Sequence, residues 1–176
     1  GNDIFFYDSS AADATGAGES IDGGTGGDTI IVTGNGTNAV NFSDDTISNI
    51  GTLELTKEAD GSTPDANAQL LTMTNAQIDS IMTINAAHNG TSGDIITITD
   101  ALTTNMLDGT GINGGLQITL TDGAASVLTL VDGTLDNTDL LVINGANLTG
   151  SNFLTFHGTA ELTDTTQIVV TGGAAG

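Results

Sequence analysis

The sequence predicts an all-β protein, a right-handed parallel β-solenoid with short strands and Gly/Asn/Asp turns; a β-sandwich is the alternative. Three observations lead there. Short apolar or Thr-alternating runs recur from end to end, turn dipeptides separate them, and an Asp-then-strand pattern repeats. The first two fit any all-β architecture. The repeat favours stacked coils, in which each unit buries its apolar face against the next.

Taken in order, the runs fall at residues 29–33, 53–56, 70–74, 81–84, 95–99, 116–121, 127–131, 140–143, 153–156 and 168–171. They are rich in Ile, Val, Leu and Thr, which suit a pleated, half-buried surface. Between them stand Asn35-Gly36, Asn89-Gly90, Asp108-Gly109, Asn113-Gly114, Asp122-Gly123, Asp132-Gly133 and Asn144-Gly145. Such pairs tolerate the positive φ that tight corners need. One helical turn is expected at 75–80, with Thr74 as its cap. Residues 60–68, which hold Pro64, read as a loop between coils. The Asp-strand unit occurs at Asp3-Ile4-Phe5-Phe6, Asp28-Thr29-Ile30-Ile31, Asp94-Ile95-Ile96-Thr97 and Asp139-Leu140-Leu141-Val142, with degenerate copies at 113–116 and 167–170.

Composition narrows the function. Lys57 is the only Lys or Arg against 22 acids, a formal net charge of -21. Nucleic acids, anionic membranes and acidic polysaccharides need basic side chains to replace their counterions, so none is an expected partner. An acidic surface attracts cations instead. Only 13% of residues are charged and 38% are hydrophobic, so the acidity does not imply disorder. Aromatics make up 3%, which predicts a thin core with little room for rings. There is no Cys, so a metal is the natural lock for an extracellular fold. No apolar run is long enough for a membrane helix. The sequence opens on Gly1 with no leader pattern, and is read as a processed chain or a piece of a longer one.

Residues 23 to 31 read Gly23-Gly24-Thr25-Gly26-Gly27-Asp28-Thr29-Ile30-Ile31, which fits G-G-x-G-x-D-x-U-x at every fixed position. The opening Gly1-Asn2-Asp3-Ile4-Phe5-Phe6 matches the last six positions of the same unit. This turn resembles the RTX, or hemolysin-type, calcium-binding repeat of large secreted bacterial surface and adhesin-type proteins. Calcium takes six to eight oxygens, and a Gly-rich turn lets backbone carbonyls converge. The resemblance implies that Asp28 and the carbonyls of Gly23, Gly24, Thr25 and Gly26 form half of a Ca2+ site, with Asp3 and Gly1 as the other half. Asp22, Asp44 and Asp45 are secondary candidates; Asp94 and Asp139 are read first as turn aspartates and only then as ligands. Stacked RTX turns lie two nonapeptides apart, roughly 18 residues, whereas Asp3 and Asp28 are 25 apart; an insertion at 9–18 would absorb the difference. Residues 1–34 are thus expected to form RTX-like calcium-binding coils. Residues 35–176 would be a degenerate Gly/Thr/Asp-rich solenoid continuous with them.

Catalysis finds little support. His88 and His157 have no nucleophile signature beside them, zinc spacing is absent, and both are expected in turns or at the surface. Paired carboxylates for glycoside hydrolysis stay open, because Asp is everywhere. The Thr-x-Thr triplets at 72–74, 97–99 and 119–121 suggest a Thr-ranked face of the kind that binds ice or glycan, although Thr is also a favoured strand residue. The N-terminal Ile4-Phe5-Phe6-Tyr7 would cap the core or offer a strand to a neighbour. The leading expectation is a calcium-stabilised, non-enzymatic structural module: surface layer, filament or adhesin. Its setting would be outside a bacterium, Gram-negative by the resemblance, and its partners calcium and copies of itself. A glycan- or ice-binding module and an accessory domain of a secreted enzyme are the alternatives.

Overall fold

The computed structural model describes residues 1–8, 18–34, 38–56, 67–88, 90–100, 111–123, 125–130, 134–135, 138–158 and 167–173. The chain is a parallel β-solenoid of about five turns, nearly all β, with one short helix among the described residues. Every named strand pair is parallel.

Three faces carry the strands. The first holds β1 (Ile4–Asp8), β3 (Thr29–Thr33), β6 (Thr52–Glu54), β8 (Thr83–Ala86) and the first half of β10 (Gly111–Leu120). The second holds β4 (Ala39–Asn41), β7 (Leu70–Met73), β9 (Ile95–Ile98), the second half of β10, β12 (Leu140–Asn144) and β14 (Gln167–Thr171). The third is discontinuous, with β2 (Ser20–Asp22) on β5 (Thr46–Ser48) and β11 (Ser126–Thr129) on β13 (Leu154–His157). Helix α1 (Asn75–Asp79) contacts β5 beside that face. Strand β10 serves two faces because it bends at Gly114, whose φ of 86° is left-handed and suits glycine. That corner is the expected Asn113-Gly114 turn.

Each coil turns one side chain per strand position into a shared core, and the register lines them up in columns. Phe5, Ile30, Leu53, Ile84 and Ile112 form one such column. Val40, Leu71, Ile96, Ile118, Ile143 and Val170 form another. The interior members are fully or almost fully buried, and each stabilises the fold by roughly 1.5–3 kcal/mol. The core is not closed to rings. Phe42 is completely buried, and Tyr7 meets it edge-on at 5.0 Å. Few aromatics in the composition fixed how many rings the core holds, not whether one fits.

Helix α1 starts where expected. Thr74 accepts from the Gln77 N–H, and the Gln77 side chain accepts from the Thr74 N–H, a complete capping box. The Gln77 amide also donates to the carbonyls of Phe42 and Asp45, tying the helix to the coil before it. Several strands start off the expected runs: β6, β11 and β14 one residue before 53, 127 and 168, β13 one after 153, β8 two after 81, and β10 five before 116. The three-residue strands β2, β4 and β5 were not legible as runs. Most of the 60–68 loop and the pairs Asn35-Gly36, Asp108-Gly109 and Asp132-Gly133 lie outside the described residues.

The coil length settles the spacing of the first two turns. Ile4 pairs with Thr29 and Leu70 with Ile95, so Asp3 and Asp28 occupy equivalent places on successive rungs. A separation of 25 residues is therefore one turn of this solenoid. No insertion into an 18-residue coil is required. The first face runs unbroken through β1, β3 and β6, so the sheet does not divide at residue 34.

Candidate cation corner

Among the described residues, aspartates do one job at five corners of the solenoid. A strand that starts on one rung leaves the N–H before it without a strand partner. The buried Asp of the next rung supplies the acceptor. Asp28 Oδ1 accepts from the Asp3 N–H at 2.6 Å, Asp94 Oδ1 from the Gln69 N–H at 2.7 Å, and Asp139 Oδ1 from the Gly114 N–H at 2.7 Å. Asp45 Oδ1 accepts from the Glu19 N–H at 2.9 Å. Asp100 reaches the Asn75 N–H at 2.7 Å in the same manner, at the first residue of α1. Charge-assisted bonds of this kind are about twice as strong as neutral ones. They explain why an Asp precedes so many strands, and for Asp94 and Asp139 they are the turn role expected first.

The corner at residues 23–28 adds something to that pattern. The opening residues stack on it directly: the terminal ammonium of Gly1 donates to the Thr25 carbonyl at 2.9 Å, and the Gly27 N–H donates to Asn2 Oδ1 at 3.1 Å. The two half-turns that the motif suggested as partners are thus neighbours, joined by hydrogen bonds. Asp3 takes part through its backbone, while its carboxylate is exposed. Gly24 and Gly26 adopt φ of 74° and 146°. Gly23 is buried and has no room for a side chain. A Cβ there would strike the Asn49 carbonyl oxygen, and would lie 2.5 and 2.7 Å from Asp28 Cβ and Cγ. Asn49 itself is left-handed, at φ 55°.

Asp28 is fully buried, and its Oδ2 has no hydrogen-bond partner. A buried carboxylate oxygen without a partner costs several kcal/mol unless a cation or proton meets it. Asp94 differs here. Its second oxygen accepts from the Ala87 N–H at 2.6 Å, so both oxygens are engaged.

The remaining candidates are elsewhere. Asp22 is exposed and accepts from Gly24 N–H at 3.0 Å and Asn49 Nδ2 at 2.7 Å, bonds that hold its carboxyl below the usual carboxylate range. Asp44 is exposed, and Asp45 is buried at the corner between the second and third faces. Among the described residues, no three His, Cys, Asp or Glu side chains gather as a metal cluster. A cation here would therefore have Asp28 Oδ2 as its one carboxylate ligand, with turn carbonyl oxygens beside it as the resemblance implies. That all-oxygen set fits a hard ion such as calcium and does not fit zinc.

Two residues that sequence reasoning missed belong to this corner. Asn2 and Asn49 bridge rungs through their amides. Nothing marked them in the sequence, because their partners lie a whole coil away. His88 stands at a tight reversal, bridged to Gly93, in keeping with the expected turn, but it is buried. Neither ring nitrogen makes a well-formed hydrogen bond, and burial pushes its pKa below the ordinary 6.5, with the Gly93 backbone opposing the shift. His157 is exposed as expected.

The Thr-x-Thr triplets stack. Thr72 pairs with Thr97 and Thr97's column continues to Thr119, with Asn41, Asn144 and Thr171 on the same rank. On the neighbouring rank, Thr99 and Thr121 hydroxyls donate to the Met73 and Ile98 carbonyls.

Fold and corner together define the class: a parallel β-solenoid whose rungs are joined by buried aspartates. The chain matches no family model, and neither a curated protein nor a solved structure matches it. No helix among the described residues is long and apolar enough to cross a membrane.

Proposed function

We propose that this chain is a calcium-stabilised structural module of the bacterial exterior, in a surface layer, filament or adhesin, with no catalytic role. The observation that carries the reading is the buried Asp28 carboxylate, whose Oδ2 lacks a partner beneath a glycine turn. The RTX-like spelling of residues 23–31 supports the same ion, and so does the net charge of -21, which a cation relieves. Extracellular calcium modules have Kd values of roughly 10⁻⁴–10⁻³ M. At millimolar calcium, a site with Kd near 0.1 mM stabilises the fold by about 1.4 kcal/mol. Secretion from a Gram-negative bacterium belongs to the same proposal and is supported by the resemblance alone. Partners on this reading are calcium and further solenoid rungs, including copies of the chain.

Calorimetric titration with calcium, followed by unfolding in chelator, tests the proposal. Saturable binding with a lower melting temperature in chelator is expected. Heat-resistant folding that ignores both calcium and chelator would refute it.

A second reading has one observation behind it, the in-register Thr72, Thr97 and Thr119 rank on the second face. Such a face would bind ice or an ordered glycan. Thermal hysteresis that disappears in Thr97→Tyr would favour it over the structural role.

A further inference from the structure

We infer that residues 87–94 form an acid-released strap over one corner of the solenoid. The strap is shut while the His88 imidazole is neutral and opens when that ring takes a proton, with the coils beneath still stacked. The inference goes beyond the calcium reading and needs neither the ion nor Asp28.

Register shows that this corner carries extra chain. Ala86 pairs with Gly114 and Ile95 with Gln117, so Gly115 and Leu116 alone make the corner on the β10 rung, where the β8–β9 connection uses residues 87–94. The neck of that connection is fastened twice. Asp94 N–H donates to the Ala87 carbonyl at 3.1 Å, and Ala87 N–H donates to Asp94 Oδ2 at 2.6 Å. His88 and Gly93 then face each other in an antiparallel bridge. The neck rests on the bend of β10. A Cβ on Gly115 would strike the His88 carbonyl, and one on Gly114 the Ala86 carbonyl, so strap and bend touch through backbone. Farther out, a Cβ on Gly90 would sit 3.7 Å from Leu140 Cδ2, which places that part of the connection against β12.

His88 is the weak point of the neck. It is 7% exposed, and both ring nitrogens are buried with no hydrogen-bond partner. A neutral imidazole bears this at the cost of its lost hydration. An imidazolium cannot, because it carries two N–H donors and a full charge. Strands β8, β9, β10 and β12 bring no charged side chain to the corner. The carboxylates beside it are Asp94, before β9, and Asp139, before β12. Asp94 already accepts from the Ala87 and Gln69 N–H groups, and Asp139 Oδ1 accepts from the Gly114 N–H. Water is what remains to take the donors of a protonated ring, and the ring reaches it when the neck opens. A cavity of about 320 Å³, lined by Ala86, Ala87, His88, Gly114 and Gly115, adjoins the neck, so this seat is loosely filled.

Opening and protonation are linked. In the open strap His88 is solvated and has an ordinary affinity for protons. In the closed strap burial lowers that affinity, with the Gly93 backbone opposing. The open state therefore takes the proton first. Its population grows as pH falls below 6.5, by at most roughly tenfold per pH unit, until the closed strap titrates as well. The Ala87–Asp94 and His88–Gly93 contacts are lost on opening. The Asp94–Gln69 and Asp139–Gly114 bonds, which join rung to rung, are kept.

Hydrogen–deuterium exchange of the full chain, read at single amides by NMR between pH 7.5 and 5.5, is the test. That range lies above ordinary carboxylate titration. Protection factors, corrected for intrinsic exchange, should fall at Ala87 and Asp94 by up to about tenfold for each pH unit below 6.5. They should stay level at Thr83 and Gly111, whose N–H groups bond to the Gly51 and Met82 carbonyls of neighbouring rungs. His88→Phe and His88→Gln should remove the dependence at the strap, and His157→Gln, at an exposed position, should keep it. Should neither His88 variant fold, the imidazole resonances of the unsubstituted chain decide the matter, because His88 must titrate together with the loss of strap protection. Protection at Ala87 and Asp94 that ignores pH, that falls equally in His88→Phe, or that falls only in step with Thr83 and Gly111 would overturn the inference. So would a His88 ring that titrates while the strap stays protected.

Discussion

The corners at Asp28 and Asp94 are built to one plan and finished differently. Each aspartate is buried before a strand, and each accepts an N–H from the rung before it, at 2.6 and 2.7 Å. At Asp94 the second oxygen is closed by the Ala87 N–H. At Asp28 the second oxygen faces no donor, and a glycine with no room for a Cβ lies against it. The comparison teaches that Asp before a strand is a structural signal in this chain. A place for a cation is a property of the glycine turn around it. Sequence motif and rung geometry agree at Asp28 alone.

Substitution by Asn breaks the comparison most sharply. In Asp94→Asn the new Nδ2 donor would oppose one of two buried N–H groups, leaving it without an acceptor. The expected cost is about 2–4 kcal/mol, equal with and without calcium, measured by chemical denaturation. Asp28→Asn keeps the acceptor for Asp3 and replaces the partnerless oxygen, so it should change stability by less than about 1 kcal/mol in chelator. Its loss should show only when calcium is present.

Gly23→Ala comes next in size. Its Cβ must displace the Asn49 carbonyl or the Asp28 side chain, at a cost of about 1–3 kcal/mol. It should also abolish the calcium response, whereas Gly123→Ala, which meets nothing nearby, should leave that response unchanged.

The pH dependence is smaller and differs between the two regions. His88, close in sequence to Asp94, has its folded pKa depressed below 6.5 by burial. The unfolded chain takes the proton first, so this contribution is complete above pH 6.5 and is lost as pH falls through the folded pKa. Asp22, beside the Asp28 corner, is lowered from 3.8 by Asn49, Gly24 and Ser48. Its contribution is present above pH 3.8 and is lost only in stronger acid. Melting temperature against pH should therefore begin to fall below neutrality, and His88→Gln should remove that first step while leaving the acid one.

The sequence made the strand content, the stacked architecture and the capped helix legible because those are local signals. Alternation, turn dipeptides and a Thr-x-x-Gln box each fit within one coil. The Asp3–Asp28 pairing was visible as a motif but not as a spacing, since the reading borrowed a shorter coil from the resemblance. What stayed hidden was whatever depends on register. Asn2 and Asn49 act on residues 25 and 27 positions away. The ladder from Glu54 through Asn85 to Asn113 crosses three rungs. The difference between Asp28 and Asp94 lies in a single N–H, that of Ala87. Coil lengths vary along this chain, so no fixed period could have brought those residues together on paper.

The most direct test of the cation corner is the thermal unfolding midpoint of the unsubstituted chain and of Asp28→Asn, each with millimolar calcium and with chelator. Calcium should raise the midpoint of the unsubstituted protein by about 3–6 °C and leave Asp28→Asn unmoved. An equal rise in both proteins would contradict a calcium ion held by Asp28.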